Sequence, residues 1–167
     1  MKPNHRQSTI RHRSGRPIAV DAKIAPLLAA LWNEGIDTAN SCEEEEPGVI
    51  WIEFEAFEGL RRFLEMVVSR LSLRNEGRED MYDRMTGLRP DRNFWRYTTN
   101  LYGDRLQAGE EWREVSDSDH GRSSGARTTV SLRFPARDYQ LVYELFQEAR
   151  ERPILAVYEK QGTDRKE

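Results

Sequence analysis

Two short segments built on one plan constrain this chain more than any other feature. Trp51-Ile52-Glu53-Phe54-Glu55-Ala56 and Ser131-Leu132-Arg133-Phe134-Pro135-Ala136 each end an alternating run on Phe and pass through two residues into a helical pattern. Side chains alternate across a strand, so Ile50, Ile52 and Phe54 share one face, and Val130, Leu132 and Phe134 do the same. After the first run, Phe57, Leu60, Phe63, Leu64, Val67 and Leu71 recur at helical spacing over 56–73. After the second, Tyr139, Val142, Tyr143, Phe146 and Ala149 recur over 136–151, and Pro153 stops the pattern. A strand that feeds an amphipathic helix, twice, predicts helices laid on one face of a sheet.

The rest of the chain fills in around that pair. Ile24, Leu27, Leu28, Leu31 and Trp32 predict a helix within Asp21–Glu34, with Asp21 as its N-cap and Gly35 as its stop. A strand over 37–41 and one over 49–54 flank a polar turn at 43–48, marked by Pro47-Gly48. A short helical turn is expected at 79–85 and a strand at 94–102. A return strand is expected at 111–116, a polar loop at 117–126 and a last strand at 154–158. The fold class is α+β, an antiparallel sheet with about three helices mainly on one face. A ferredoxin-like sandwich is one way to close it. At 167 residues the chain suits one domain, expected at 18–160. A mobile arm at 1–17 precedes it, and a frayed tail at 161–167 follows.

Charge divides along the chain. Residues 1–20 hold five of the 26 basic residues (Lys2, Arg6, Arg11, Arg13 and Arg16) and none of the 29 acidic ones. The arm offers a nucleic-acid contact, although the acidic body would repel a phosphate backbone. One cysteine excludes an internal disulfide framework. No apolar run reaches bilayer length, and the first 17 residues lack a signal-peptide core. The expected compartment is the cytoplasm.

The run Val20-Asp21-Ala22-Lys23-Ile24-Ala25-Pro26-Leu27-Leu28-Ala29-Ala30-Leu31-Trp32-Asn33-Glu34-Gly35-Ile36-Asp37-Thr38-Ala39-Asn40-Ser41-Cys42 is distinctive. It resembles the opening of a group of small uncharacterised proteins from actinobacteria and their phages, over residues 18–68. The resemblance implies a fold and a phage or mobile-element context, and no activity. Thr38, Ser41 and Cys42 are also similar to a stretch of wybutosine-synthesis methyltransferases. Those continue with Ser-Gly-Arg, whereas this chain continues with Glu43–Glu46 and so lacks the basic residue.

Chemistry centres on Cys42 at the end of the first hairpin, with Asp37, Thr38 and Ser41 near it as catalytic candidates. A cysteine nucleophile needs a favoured thiolate, and four following glutamates oppose one. Cys42 also reads as a small buried side chain. Four consecutive glutamates diverge too far to close on one cation. Asp117, Asp119 and His120 lack the spacing of a calcium loop and the ligand number of a zinc site. No metal and no cofactor is expected. Phe94, Trp95, Tyr97, Tyr102 and Trp112 gather on two neighbouring strands and suggest a partner or ligand surface. The expected function is a non-catalytic binding or regulatory protein for a protein or small-molecule ligand, with a homodimer as one form. A small Cys42 enzyme and nucleic-acid contact through the arm are the alternatives.

Overall fold

The computed structural model describes residues 5–74, 78–87, 94–102 and 127–151. They form two antiparallel sheets and four α-helices. Strands β1 (Gln7–Arg11) and β2 (Pro17–Asp21) make a hairpin, followed by α1 (Ala25–Asn33). Then come β3 (Thr38–Glu46), β4 (Val49–Phe54) and α2 (Phe57–Leu71). The remainder is α3 (Arg78–Thr86), β5 (Arg96–Tyr102), β6 (Arg127–Pro135), a 3₁₀ turn (Ala136–Asp138) and α4 (Tyr139–Glu151).

After the hairpin, the described elements read helix–strand–strand–helix twice. The four-stranded sheet runs β3-β4-β6-β5, so the two halves meet at the antiparallel pair β4·β6. In that pair Ile52 lies opposite Leu132, the residue in the same place of the sequence repeat. All pairings are antiparallel. β6 lies between β4 and β5, the two strands that helices connect, and the element order among the described residues differs from the strand–helix–strand–strand–helix–strand order of a ferredoxin-like sandwich.

One face of this sheet builds the core. Ile50, Ile52, Phe54, Leu132 and Phe134 are buried with Leu60, Phe63 and Val67 of α2 and Val142, Leu145 and Phe146 of α4. From α1, Leu27, Leu28 and Leu31 join them without exposure. The helix ends where the sequence placed its stop. Gly35 has φ of 72°, its N–H donates to Trp32 O at 3.0 Å, and Ile36 N–H donates to Leu31 O at 2.9 Å. The Arg62 guanidinium then satisfies the carbonyls of Glu34 and Gly35 at 2.7 and 3.0 Å, a cation where the helix dipole is negative.

Three expectations are corrected. Asp21 does not cap α1: the N-cap is Ile24, with no side-chain bond, and Asp21 ends β2 instead. The glutamates do not form a turn: β3 continues through Glu46, paired with Val49. Distant cations hold them in the strand. Arg133 donates to Glu45 Oε1 at 2.9 Å and Arg96 to Glu46 Oε2 at 2.9 Å. Residues 7–11 are not a mobile arm, because Ile10 pairs with Ile18 and both pack against the core. The strands expected at 111–116 and 154–158, and the loop at 117–126, lie outside the described residues.

The other sheet face is polar. Glu53 is 3% exposed, with Thr129 and Ser131 at 1%. Asn100 Nδ2 donates to Glu53 Oε1 at 3.0 Å and to Ser131 Oγ at 2.7 Å. Trp51 Nε1 donates to the same hydroxyl at 2.9 Å. Hydrogen bonding is the condition on which such groups can be buried.

Candidate functional site

The N-terminal hairpin leaves a groove of about 830 Å³ against the four-stranded sheet. Ile18, Ala19 and Val20 of β2 line one side, Thr38–Cys42 of β3 the other, and Trp51 stands beside them. Neither β2 nor β3 has a second strand partner among the described residues. The groove therefore lies between two strands, each with one unpaired edge. Its charged lining is mixed: Asp21, Glu45 and Glu55 against Arg16.

At one end of the groove the chain gathers a cluster that sequence reasoning missed. His5 precedes β1, Asp21 closes β2, and Cys42 and Glu43 lie in β3. Nδ1 of His5 is 3.7 Å from Asp21 Oδ2 and 3.2 Å from Glu43 Oε1. Glu43 N–H donates to Asp21 Oδ2 at 3.1 Å, and Lys23 N–H donates to Glu43 Oε2 at 2.7 Å. Cys42 sits opposite Trp51 on the polar face, half-buried rather than in the core. Burial raises its thiol pKa first, and the charges of Asp21 and Glu45 add to the rise. The proton therefore stays on sulfur and blunts it as a nucleophile. The sequence signal for this cluster is weak: its residues stand far apart, and the spacings of 16 and 21 residues match no motif.

The other catalytic candidates do not converge on that sulfur. Asp37 faces the hairpin tip. Arg13 donates to it through Nε at 3.1 Å and Nη2 at 2.6 Å, and His12 Nε2 lies 2.9 Å from the same carboxylate. His12 Nδ1 contacts Ser14 Oγ at 2.9 Å, and its ring meets Trp32 edge-on at 5.1 Å. Ser14, His12 and Asp37 thus make a chain of contacts, but Arg13 already engages the carboxylate. Thr38 accepts a hydrogen bond from Trp32 Nε1 at 3.0 Å, and Ser41 N–H donates to Asn40 Oδ1 at 2.9 Å.

The Asp37 contacts pin the hairpin tip and carry a pH dependence. Hydrogen bonding from Arg13, more than any other cause, lowers the Asp37 pKa. A folded pKa below the unfolded value adds stability that is complete above the unfolded pKa and fades as pH falls through the folded one. Asp37→Asn is therefore expected to lower the urea midpoint at pH 7. The gap from the parent should close as pH falls below about 4, the ordinary aspartate value. An equal gap at pH 7 and at the acid limit would remove this pair from the account.

The aromatic surface is only partly formed. Trp95 is 2% exposed and belongs to the core, where its indole donates to Asp138 at 2.9 Å; that corrects its place in a binding surface. Phe94 and Tyr97 remain 39% and 40% exposed. The Tyr102 side chain and Trp112 lie outside the described residues. The basic residues also change character. Arg13 pairs with Asp37, Arg11 donates to Gly15 O at 3.2 Å, Arg6 and Arg16 are exposed on the hairpin, and Lys2 lies outside the described residues. No helix among the described residues is long and apolar enough to cross a membrane.

No family model matches the chain, and no solved structure matches it. One similar protein is an uncharacterised protein of Acanthamoeba polyphaga mimivirus, R428, 27% identical over 140 residues. That likeness covers 80% of this chain and 63% of the viral protein, so the chain spans less than two thirds of its relative. The chain is thus similar, over most of its length, to an uncharacterised viral protein.

Proposed function

We propose that this chain is a non-catalytic binding module whose ligand is an extended peptide segment lying in the groove between β2 and β3. The observation that carries the reading is the groove itself, lined by β2 and β3, neither of which has a second strand partner among the described residues. A volume of about 830 Å³ falls in the range of ligand sites. Edge N–H and C=O groups recognise extended backbone, and neighbouring side chains supply specificity. Trp51 is an aromatic anchor of the kind that dominates binding energy. Arg133 lies over its ring at 5.9 Å and Ser131 holds its indole, so it is already oriented. The high pKa of the Cys42 thiol supports a binding role over the Cys42 enzyme. The pairing of Arg13 with Asp37 supports it over a nucleic-acid arm. The setting we favour is viral or mobile-element, from the likeness to the mimivirus protein and the resemblance of residues 18–68.

Selection from a displayed random-peptide library against the purified chain tests the reading. Peptides with a shared pattern should emerge. Trp51→Ala and Ala39→Trp, which fills the groove from an exposed position, should each weaken their binding about tenfold or more, as loss of an anchor does. Peptides that bind both variants as well as the parent, or thermal stabilisation by a DNA oligonucleotide alone, would overturn it.

A further inference from the structure

We propose that His5, Asp21 and Cys42 form a site for a zinc-class divalent cation, with Glu43 supplying a further oxygen. His5 Nδ1, an Asp21 carboxylate oxygen and Cys42 Sγ all lie within 4.8 Å of one another. The distances from His5 Nδ1 to Asp21 Oδ2 and Glu43 Oε1 are 3.7 and 3.2 Å. Tetrahedral bonds of about 2.0–2.3 Å set ligand atoms roughly 3.3–3.7 Å apart. The two printed His5 separations already lie close to that spacing, and the remaining pairs need to close by at most roughly 1.5 Å from their 4.8 Å bound to meet one ion.

The second observation is the imidazole itself. The His5 side chain is 8% exposed, and its Nδ1 makes no hydrogen bond among the described residues although two carboxylates are close. Buried polar atoms are rarely left this way. Co-ligands of one ion show this geometry, because each lone pair points at the ion and not along the line to its neighbour. The carboxylates are also held in place by other donors. The Gln7 amide and Glu43 N–H donate to Asp21, and Lys23 N–H donates to Glu43. Outer-shell bonds of this kind orient metal ligands.

The chemistry selects the cation. Two carboxylates and a thiol face one amine, Lys23 Nζ at 3.5 Å from Glu43, so the cluster is short of positive charge. Sulfur and imidazole favour zinc over magnesium or calcium. On binding, Cys42 loses its proton and sulfur meets the metal as thiolate. The ligands come from the segment before β1, the end of β2 and the middle of β3. The ion would clamp the hairpin to the sheet. This site adjoins the proposed groove but does not depend on it.

The test uses the full chain, stripped with a chelator and then titrated with Zn²⁺ or Co²⁺ and no other ligand. One equivalent of Zn²⁺ should bind with micromolar affinity or tighter, and Tm should climb with free Zn²⁺. Co²⁺ should give tetrahedral d–d bands and a thiolate charge-transfer band. His5→Ala and Cys42→Ser should each weaken Zn²⁺ by more than the roughly tenfold that loss of an outer-shell partner costs. Cys42→Ser should abolish the charge-transfer band, while His12→Ala leaves both readouts intact. No saturable uptake, as for a plain imidazolium–carboxylate pair, would overturn the site. So would uptake indifferent to His5→Ala and Cys42→Ser. If those variants fail to fold, the parent Co²⁺ spectrum decides: a hydrated octahedral spectrum overturns the site and a thiolate band upholds it.

Discussion

Asp138→Ala is expected to destabilise the fold by about 3–5 kcal/mol, the cost of breaking a buried ion pair from one side. Asp138 is 2% exposed and accepts three hydrogen bonds. Arg84 donates through Nε at 3.1 Å and Nη2 at 2.6 Å, and Trp95 Nε1 donates at 2.9 Å. The carboxylate thus ties α3 and the entry to β5 to the start of α4, where the helix dipole also favours negative charge. Its removal takes this partner from a largely buried guanidinium and from an indole N–H together. Asp138→Asn keeps an acceptor for the indole and should cost less, about 1–3 kcal/mol. Urea unfolding followed by tryptophan fluorescence measures both. An alanine variant within 1 kcal/mol of the parent, on the scale of an exposed pair, would show that Arg84 and Trp95 find water or other partners when the carboxylate goes.

Parts of this fold were legible because they obey local rules. The Gly35 stop, the period-two run at 49–54 and the stripe from Leu60 to Leu71 each appear in the structure within a few residues of the expected bounds. The repeat around Phe54 and Phe134 went further than local pattern. It marked the two central strands that pair with each other across the sheet. Its full extent was hidden, because α3 is less amphipathic than α1 or α2 and the second strand pair is separated by a long polar segment.

The failures have a common cause. Glu43–Glu46 has poor strand propensity, and among the described residues Arg96, Arg133 and Lys23, distant in sequence, pair with its carboxylates. Asp21 looked like an N-cap by position, but tertiary contacts claim it for the cluster with His5 and Glu43. The N-terminal hairpin was masked by its basic residues. A signal is there: Ile10 stands between Thr9 and Arg11, and Ile18 and Val20 alternate beyond Ser14-Gly15. Consequently the sequence sets Cys42 against the four following glutamates alone. The charges that raise its pKa include Asp21 and Glu45, yet burial is the larger cause. The imidazole beside the cluster falls within the 1–17 segment that the sequence presents as a mobile arm.

Phe63→Ala is expected to cost about 3–5 kcal/mol and lower Tm by roughly 10 °C. The residue has no exposure. Its ring lies 5.5 Å from Phe54, 5.4 Å from Phe146 and 6.2 Å from Trp95, centre to centre. These partners come from β4, α4 and the approach to β5, so one ring on the first half of the repeat bridges to the second. Truncation leaves a cavity walled by aromatic rings, which cannot collapse as aliphatic chains do. Phe57→Ala is the internal control. It lies on the same helix at 67% exposure, and its loss should stay within about 0.5 kcal/mol. The unfolding curve carries a second reading. If the two halves share this core, Phe63→Ala shifts one cooperative transition without splitting it. Two resolved transitions would mean that each helix–strand–strand–helix unit holds itself together, and that the ring bridges them without coupling them.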